Sequence, residues 1–385
     1  MRILIAGGGT GGHLYPGIAL ARELVRRDPS TVVSFVGTAD GIEARVVPRE
    51  NFPLDLIRVA GLKGKSRMDR LKGFLVLPVG AVDAWSVLSK HRPDVVIGVG
   101  GYASGPVVAL AAARGYPTML LEQNALPGIT NRLLARVVRA AAVNFDSALA
   151  YFPRTGFVAG NPVRPEFFPA QPEEANDHTS QPFDSIDSAS GGNPVQGRVL
   201  TFGGSQGAHA INVAMVEAAS RLAAAGIRLA ITHQTGERDL DLVRTAYARA
   251  GVAARVEAFI YEIDREMKAA DVAICRAGAT TLAELAASGT PAILVPLPNS
   301  TDDHQRKNAA VVAQAGAAVT LEQRDLSGET LAAAISGLVG DAERHRRMVI
   351  AARQLARPDA AQRIADRVEQ LALRQRSGQG GRRAG

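Results

Sequence analysis

The chain has one cysteine among its 385 residues. That excludes a disulfide framework and a cysteine-rich metal site, and it suits a reducing compartment. Cys275 closes the apolar run DVAIC, so a buried structural thiol is expected there. Long hydrophobic runs are also missing. The longest, FLVLPVGAV and GPVVALAAA, are about half of the roughly 18 residues a membrane span needs. A strand-like block opens the chain, and no cleavable secretory leader is expected. Aromatic residues make up only 5%, and the basic residues are not interleaved with stacking rings, which argues against a nucleic-acid platform. The net charge is +7. Such a balance suits phosphorylated substrates or anionic lipid and does not choose between them.

Glycine is abundant, and its placement is informative. Residues 2–16, RILIAGGGTGGHLYP, set five glycines in six positions between an apolar block and a run with Leu14, Ile18, Leu20, Ala21, Leu24 and Val25 at helical spacing. Continuous apolar blocks of this length fit strands buried on both faces. The loop between lets backbone amides approach a ligand at the positive end of a helix, where phosphate is the usual guest. The same strand, glycine loop and helix return in DVVIGVGGYASGPVVALAAA (94–113) and RVLTFGGSQGAHAINVAMVEAAS (198–220). Apolar runs alternate with amphipathic stretches elsewhere. The expected fold is α/β: two Rossmann-like domains with parallel sheets facing across a cleft, glycine loops at the carboxyl ends of the strands. Residues 170–197, rich in Pro, Ser, Asp, Asn and Gly, read as a linker or insert.

Three readings of the loops compete. Gly7, Gly9 and Gly12 match the dinucleotide fingerprint, but Asp40 lies past a glycine turn and is a poor ribose acid for a nicotinamide or flavin enzyme. Gly203 to Gly207 match the nucleophile elbow of hydrolases around Ser205, yet that leaves the loops of the first half unexplained. The third reading lets all the loops face one phosphorylated ligand and its co-substrate. It predicts an acid for a ribose diol, and Glu284 in AGATTLAEL supplies one among apolar neighbours.

The ordered motifs GGGTGGHLYPGIALA, GVGGYASGP, LLEQNALPG, AGNPVR, FGGSQGA, CRAGATTLAEL and DDHQRKNA closely resemble the MurG-type glycosyltransferases over about residues 2–370. The resemblance implies a GT-B fold and an inverting transfer of N-acetylglucosamine. The sugar goes from UDP-N-acetylglucosamine to the 4-hydroxyl of undecaprenyl-diphosphate N-acetylmuramoyl-pentapeptide, a step in peptidoglycan synthesis, cell shape and division. It implies donor contacts at Asn124, Arg164, Ser205, Ile260, Ala279, Thr280, Thr281, Leu282, Glu284 and Gln305. The acceptor diphosphate is expected at the glycine loops, at Thr10, Gly11, Gly12, Gly101, Tyr102 and Ser104. The base that takes the acceptor's proton is His13 or Glu122.

No cofactor is expected. Zinc-type spacings are absent, and the Asp-x-Asp at 239–241, a magnesium pattern in some sugar transferases, falls in a helix-like stretch, so no metal ligand is assigned. The acceptor is a membrane lipid, so peripheral docking on the cytoplasmic face of the bacterial inner membrane is expected. Lys63, Lys65, Arg67, Phe74, Leu75 and Trp85 are its candidate contacts, against the plainer reading of a basic loop before a core helix. Other cell-wall synthesis proteins are further candidate partners. The expected division is 1–165 for the acceptor and membrane, 166–197 as linker and 198–355 for the UDP-sugar. A helix at 356–374 packs back toward the first domain, and 375–385 form a basic disordered tail.

Overall fold

A computed structural model describes residues 1–59, 67–169, 196–204 and 207–383; the side chains of 67–78, Thr301 and 376–383 fall outside that description. The chain divides into two compact units, Met1–Val163 with Arg357–Gly385, and Arg164–Ala356.

The first unit alternates β1 (Arg2–Gly7), α1 (Gly11–Arg27), β2 (Val32–Gly37), α2 (Glu43–Arg49), β3 (Leu54–Leu56), α3 (Arg67–His91), β4 (Val95–Gly100), α4 (Ser104–Ala113), β5 (Thr118–Glu122), α5 (Ile129–Leu134), β6 (Ala140–Val143) and β7 (Gly156–Val158). Its seven strands pair in parallel in the order β3-β2-β1-β4-β5-β6-β7. Alternate residues of β1 serve both faces. Ile3 and Ile5 join Leu14, Ile18 and Leu24 of α1 in one core, while Leu4 and Ala6 join Leu88 and Val107 in another. This two-faced burial explains why the strands lack polar alternation.

The second unit carries β8 (Gly197–Phe202), α6 (His209–Ala224), β9 (Leu229–Gln234), α7 (Leu240–Arg249), β10 (Ala254–Glu257), α8 (Ile263–Ala269), β11 (Val272–Cys275), α9 (Ala279–Ser288), β12 (Ala292–Leu294), α10 (His304–Gln314), β13 (Ala318–Thr320), α11 (Gly328–Val339) and α12 (Ala342–Leu355). Its sheet, β10-β9-β8-β11-β12-β13, is also parallel throughout. Cys275 is fully buried, and burial pushes its thiol pKa up, as a structural role requires.

The last helix, α13 (Ala360–Arg383), belongs to the first unit. Ile364, Val368 and Leu371 enter the core beside α1, and Arg27 donates to Asp366 Oδ1 at 2.6 Å and to the Gln362 carbonyl at 3.0 Å. The backbone is helical to Arg383, eight residues past the start of the expected tail at 375. Most of the insert, residues 170–195, lies outside the described residues.

Both sheets reverse their winding between two adjacent strands, β1 and β4 in one and β8 and β11 in the other. Such switch points open a crevice at the strands' carboxyl ends. The glycine loops after β1, β4 and β8, and the RAG turn after β11, all emerge there.

Candidate active site

In the first unit the two glycine loops interlock. The Gly8 amide donates to the Gly100 carbonyl at 3.1 Å. A Cβ on Gly7 would lie 2.1 Å from that carbonyl oxygen, and one on Gly101 would lie 2.3 Å from the Gly8 oxygen. Both residues have positive φ, so glycine is needed for conformation and for approach. A residue that the sequence reading missed fixes this loop from behind. Glu43, buried, accepts from the Gly9 amide at 2.7 Å, the Thr38 amide at 2.8 Å and the Thr38 hydroxyl at 3.0 Å. Its carboxylate is walled by Gly8, Gly37 and Gly41.

Thr10 precedes α1 but its hydroxyl makes no capping bond, and no acid occupies the first turn. The start of the helix, at Gly11 and Gly12, keeps its positive character for an anion. His13 sits in that first turn with Nδ1 3.1 Å from Gln123 Oε1. Tyr102 is exposed beside the loop. Ser104 opens α4 and is fully buried, with its Oγ against Gly98 in β4.

Glu122, the other candidate base, is nearly fully buried and heavily engaged. Oε1 accepts from the Asn124 amide at 3.0 Å and from Asn124 Nδ2 at 3.2 Å. Oε2 accepts from the Gly128 amide at 3.1 Å and from Asn131 Nδ2 at 2.8 Å. Four donors make it the organiser of the loop after β5, and they hold Asn124 beside it.

The second unit builds its own set of backbone and side-chain groups around its glycine loop. Gly207 has positive φ, and a Cβ there would meet the Thr235 carbonyl oxygen at 1.8 Å. Ser205, between Gly204 and Gly207, lies outside the described residues. Gln234 bridges the two sides of this corner: Nε2 donates to the Gly204 carbonyl at 2.9 Å, and Oε1 accepts from the Ile260 amide at 2.9 Å.

Helix α9 begins after Gly278 with no side-chain cap. Ala279, Thr280 and Thr281 occupy the first turn, where the helix supplies no acceptor for their amides. The Leu282 amide donates to the Gly278 carbonyl at 3.0 Å, and its side chain is buried. The turn before α9 is braced by Asn308 Nδ2 on the Ala277 carbonyl at 3.3 Å, and by Arg276, which donates to the Val295 carbonyl at 3.1 Å and Gln323 Oε1 at 2.7 Å. Gln305 stands at the start of α10, with Oε1 accepting from the Leu297 amide at 2.9 Å.

Burial raises Glu284 to a pKa of about 7; the Asp264 carboxylate adds to this and the Arg164 guanidinium opposes it. Arg164 also lies 5.0 Å over the Phe167 ring. Asp239 of the Asp-x-Asp stretch is held by Asn212 Nδ2 at 2.8 Å and faces His209 Nδ1 at 3.0 Å, while Asp241 lies in the first turn of α7.

Of the membrane candidates, Lys63 and Lys65 lie outside the described residues, as do the side chains of Arg67, Phe74 and Leu75. Trp85 is 55% exposed on α3 with Val82 three residues before it at 66%, and the Arg114 guanidinium lies 4.2 Å over the indole. Among the described residues no helix is long and apolar enough to cross a membrane.

The two units match the two family models of one group of enzymes. Residues 3–143 match the glycosyltransferase family 28 N-terminal domain, and residues 198–364 match its C-terminal domain. The chain belongs to glycosyltransferase family 28. Relatives of this family 28 enzyme from Anaeromyxobacter dehalogenans strain 2CP-C and Myxococcus xanthus are 48% and 45% identical, over 97% and 95% of this chain and 94% and 92% of their own. Both are named UDP-N-acetylglucosamine–N-acetylmuramyl-(pentapeptide) pyrophosphoryl-undecaprenol N-acetylglucosamine transferase. The solved structure of Acinetobacter baumannii MurG aligns with a TM-score of 0.74 at 30% identity, covering 96% of this chain and 99% of that one. A UDP-glucose:anthocyanidin 3-O-glucosyltransferase aligns with a TM-score of 0.67 at 13% identity, which shows a shared fold.

Proposed function

We propose that this family 28 glycosyltransferase moves N-acetylglucosamine from UDP-N-acetylglucosamine to the 4-hydroxyl of undecaprenyl-diphosphate N-acetylmuramoyl-pentapeptide. The observation that carries this reading is the 48% identity, over 97% of this chain, to a relative named for that transfer. The chemistry on the page agrees with it. The second unit holds the donor: the Ile260 carbonyl meets uracil, Glu284 the ribose hydroxyls, and the first turn of α9 with Arg164 the diphosphate. Gln305 and Asn124 contact the sugar. The first unit holds the acceptor diphosphate at Thr10, Gly11 and Gly12.

His13 is the base, since both Glu122 oxygens already carry two donors each. As the 4-hydroxyl oxygen attacks C1 of the sugar, its proton passes to His13 and the C1–O bond to the β-phosphate breaks. UDP leaves with the bonding pair, and C1 inverts. The negative charge that develops on the diphosphate is met by the α9 amides and Arg164. Radiolabelled UDP-N-acetylglucosamine with a lipid-diphosphate muramoyl-pentapeptide gives labelled disaccharide lipid on this reading. Release of free sugar alone, or transfer only to a soluble acceptor, overturns it.

The acceptor places the enzyme peripherally on the cytoplasmic face of the inner membrane, docked through the stretch from Lys63 to Trp85. Flotation with anionic vesicles is expected, and loss of the Lys63, Lys65 and Arg67 charges weakens it. Equal flotation with neutral vesicles would rule out this docking mode.

A further inference from the structure

Gln123 follows Glu122 at the end of β5 and is 2% exposed. Its Nε2 donates to the Val99 carbonyl at 3.1 Å. A carbonyl oxygen only accepts, so this bond settles which way round the amide lies. Oε1 is therefore the atom 3.1 Å from His13 Nδ1. That oxygen also only accepts, so the proton between them sits on Nδ1. A neutral imidazole has a single N–H, which leaves the lone pair on Nε2.

The rest of the surroundings hold this arrangement. The Gln123 carbonyl accepts from Asn144 Nδ2 at 3.1 Å, fixing its backbone. On the other side, a Cβ on Gly100 would lie 2.7 Å from His13 Nδ1, so the ring lies directly on the glycine and has no space to swing toward it.

We infer that Gln123 is a positioning residue that sets the tautomer and aim of His13, so that Nε2 is the atom that takes the acceptor's proton. The inference rests on the reading of His13 as the base. In the step, the 4-hydroxyl proton moves to Nε2 while the oxygen's electron pair forms the bond to C1. The imidazolium that results keeps its Nδ1–H on Gln123 Oε1, and that bond strengthens with the charge.

The test reads the tautomer directly in the full-length protein. With nitrogen-15 in the histidines, long-range proton–nitrogen correlation distinguishes the two ring nitrogens, and His13→Gln identifies the His13 signals. Neutral His13 is expected as the Nδ1–H tautomer. Gln123→Met, similar in volume and without the oxygen, shifts the population toward Nε2–H. It lowers kcat about 10- to 100-fold, the usual size of losing an orienting partner, with KM for both substrates within about twofold. Gln123→Glu, which keeps an acceptor opposite Nδ1, restores the Nδ1–H tautomer and part of kcat; it serves also if the Met variant does not fold. An Nε2–H tautomer in the parent, an unchanged tautomer in Gln123→Met, or full kcat after the tautomer has switched overturns the inference. Full turnover in His13→Gln sinks the base assignment instead, so the two failures are distinguishable.

Discussion

Burial holds the Glu284 carboxyl near pKa 7, and on the proposed reading, where it meets the donor's ribose, that makes donor binding sensitive to pH. Ribose hydroxyls donate, so they bind the ionised form. As pH rises from 6 to 8 the carboxyl ionises and UDP affinity rises, by up to about tenfold per unit below the pKa. Glu284→Gln flattens that profile; calorimetric titration at several pH values checks it. Stability follows the opposite course. The unfolded chain loses this proton near pH 4.5 and the folded protein near 7, so the folded state binds more protons in between and stability declines as pH rises across that window. The gain in thermal midpoint of Glu284→Gln over the parent is therefore larger at pH 8 than at pH 5. Glu284 and His13 were singled out in the sequence because each lies inside a glycine-loop motif. Glu43, Gln123 and Gln234 were not, because each acts across the fold. Their partners lie 34, 110 and 26 residues away, on loops and helices that only tertiary pairing brings close. Ser104 and Leu282 also sit inside motifs, where the fold turns the Ser104 hydroxyl inward and pairs the Leu282 amide.

At the scale of elements, the strand–loop–helix repeats read from the sequence become two pairs, because β4 lies beside β1 and β11 beside β8. Adjacent strands bring their following loops together, which is why the Gly8 amide finds the Gly100 carbonyl. Apolar runs marked the long central strands well. The short edge strands β3 and β7, three residues each, carry too few side chains for any period to show. On the proposed reading the loop pairs also separate the two ligands. In Gly207→Ala the new methyl meets the Thr235 carbonyl, and in Gly101→Ala it meets the Gly8 carbonyl. Each adds backbone strain of about 1–3 kcal/mol at a positive φ. Gly207→Ala is expected to weaken UDP binding at least tenfold and Gly101→Ala to leave it within about twofold, while raising KM for the lipid acceptor. Equal loss of UDP affinity in both variants contradicts this division.

For the whole molecule, the decisive feature is that the first unit is built from both ends of the chain, while the second is one continuous segment, Arg164–Ala356. The sequence suggested a returning helix, but not that its apolar residues complete a core begun by the first strand. Ile364, Val368 and Leu371 are each 3% exposed or less in that core. At about 1.5–3 kcal/mol for each buried side chain, their loss removes roughly 5–9 kcal/mol, as much as many domains possess. Arg27 loses Asp366 as well. A variant ending at Ala356 is therefore expected to unfold selectively. Its first unit becomes sensitive to protease at low enzyme concentration and its transfer activity is lost. The segment from Arg164 survives as a resistant fragment whose thermal transition still rises when UDP is added. If the truncated protein keeps the parent's melting profile, or if the segment from Arg164 is digested along with the rest, the two units do not stand on separate cores.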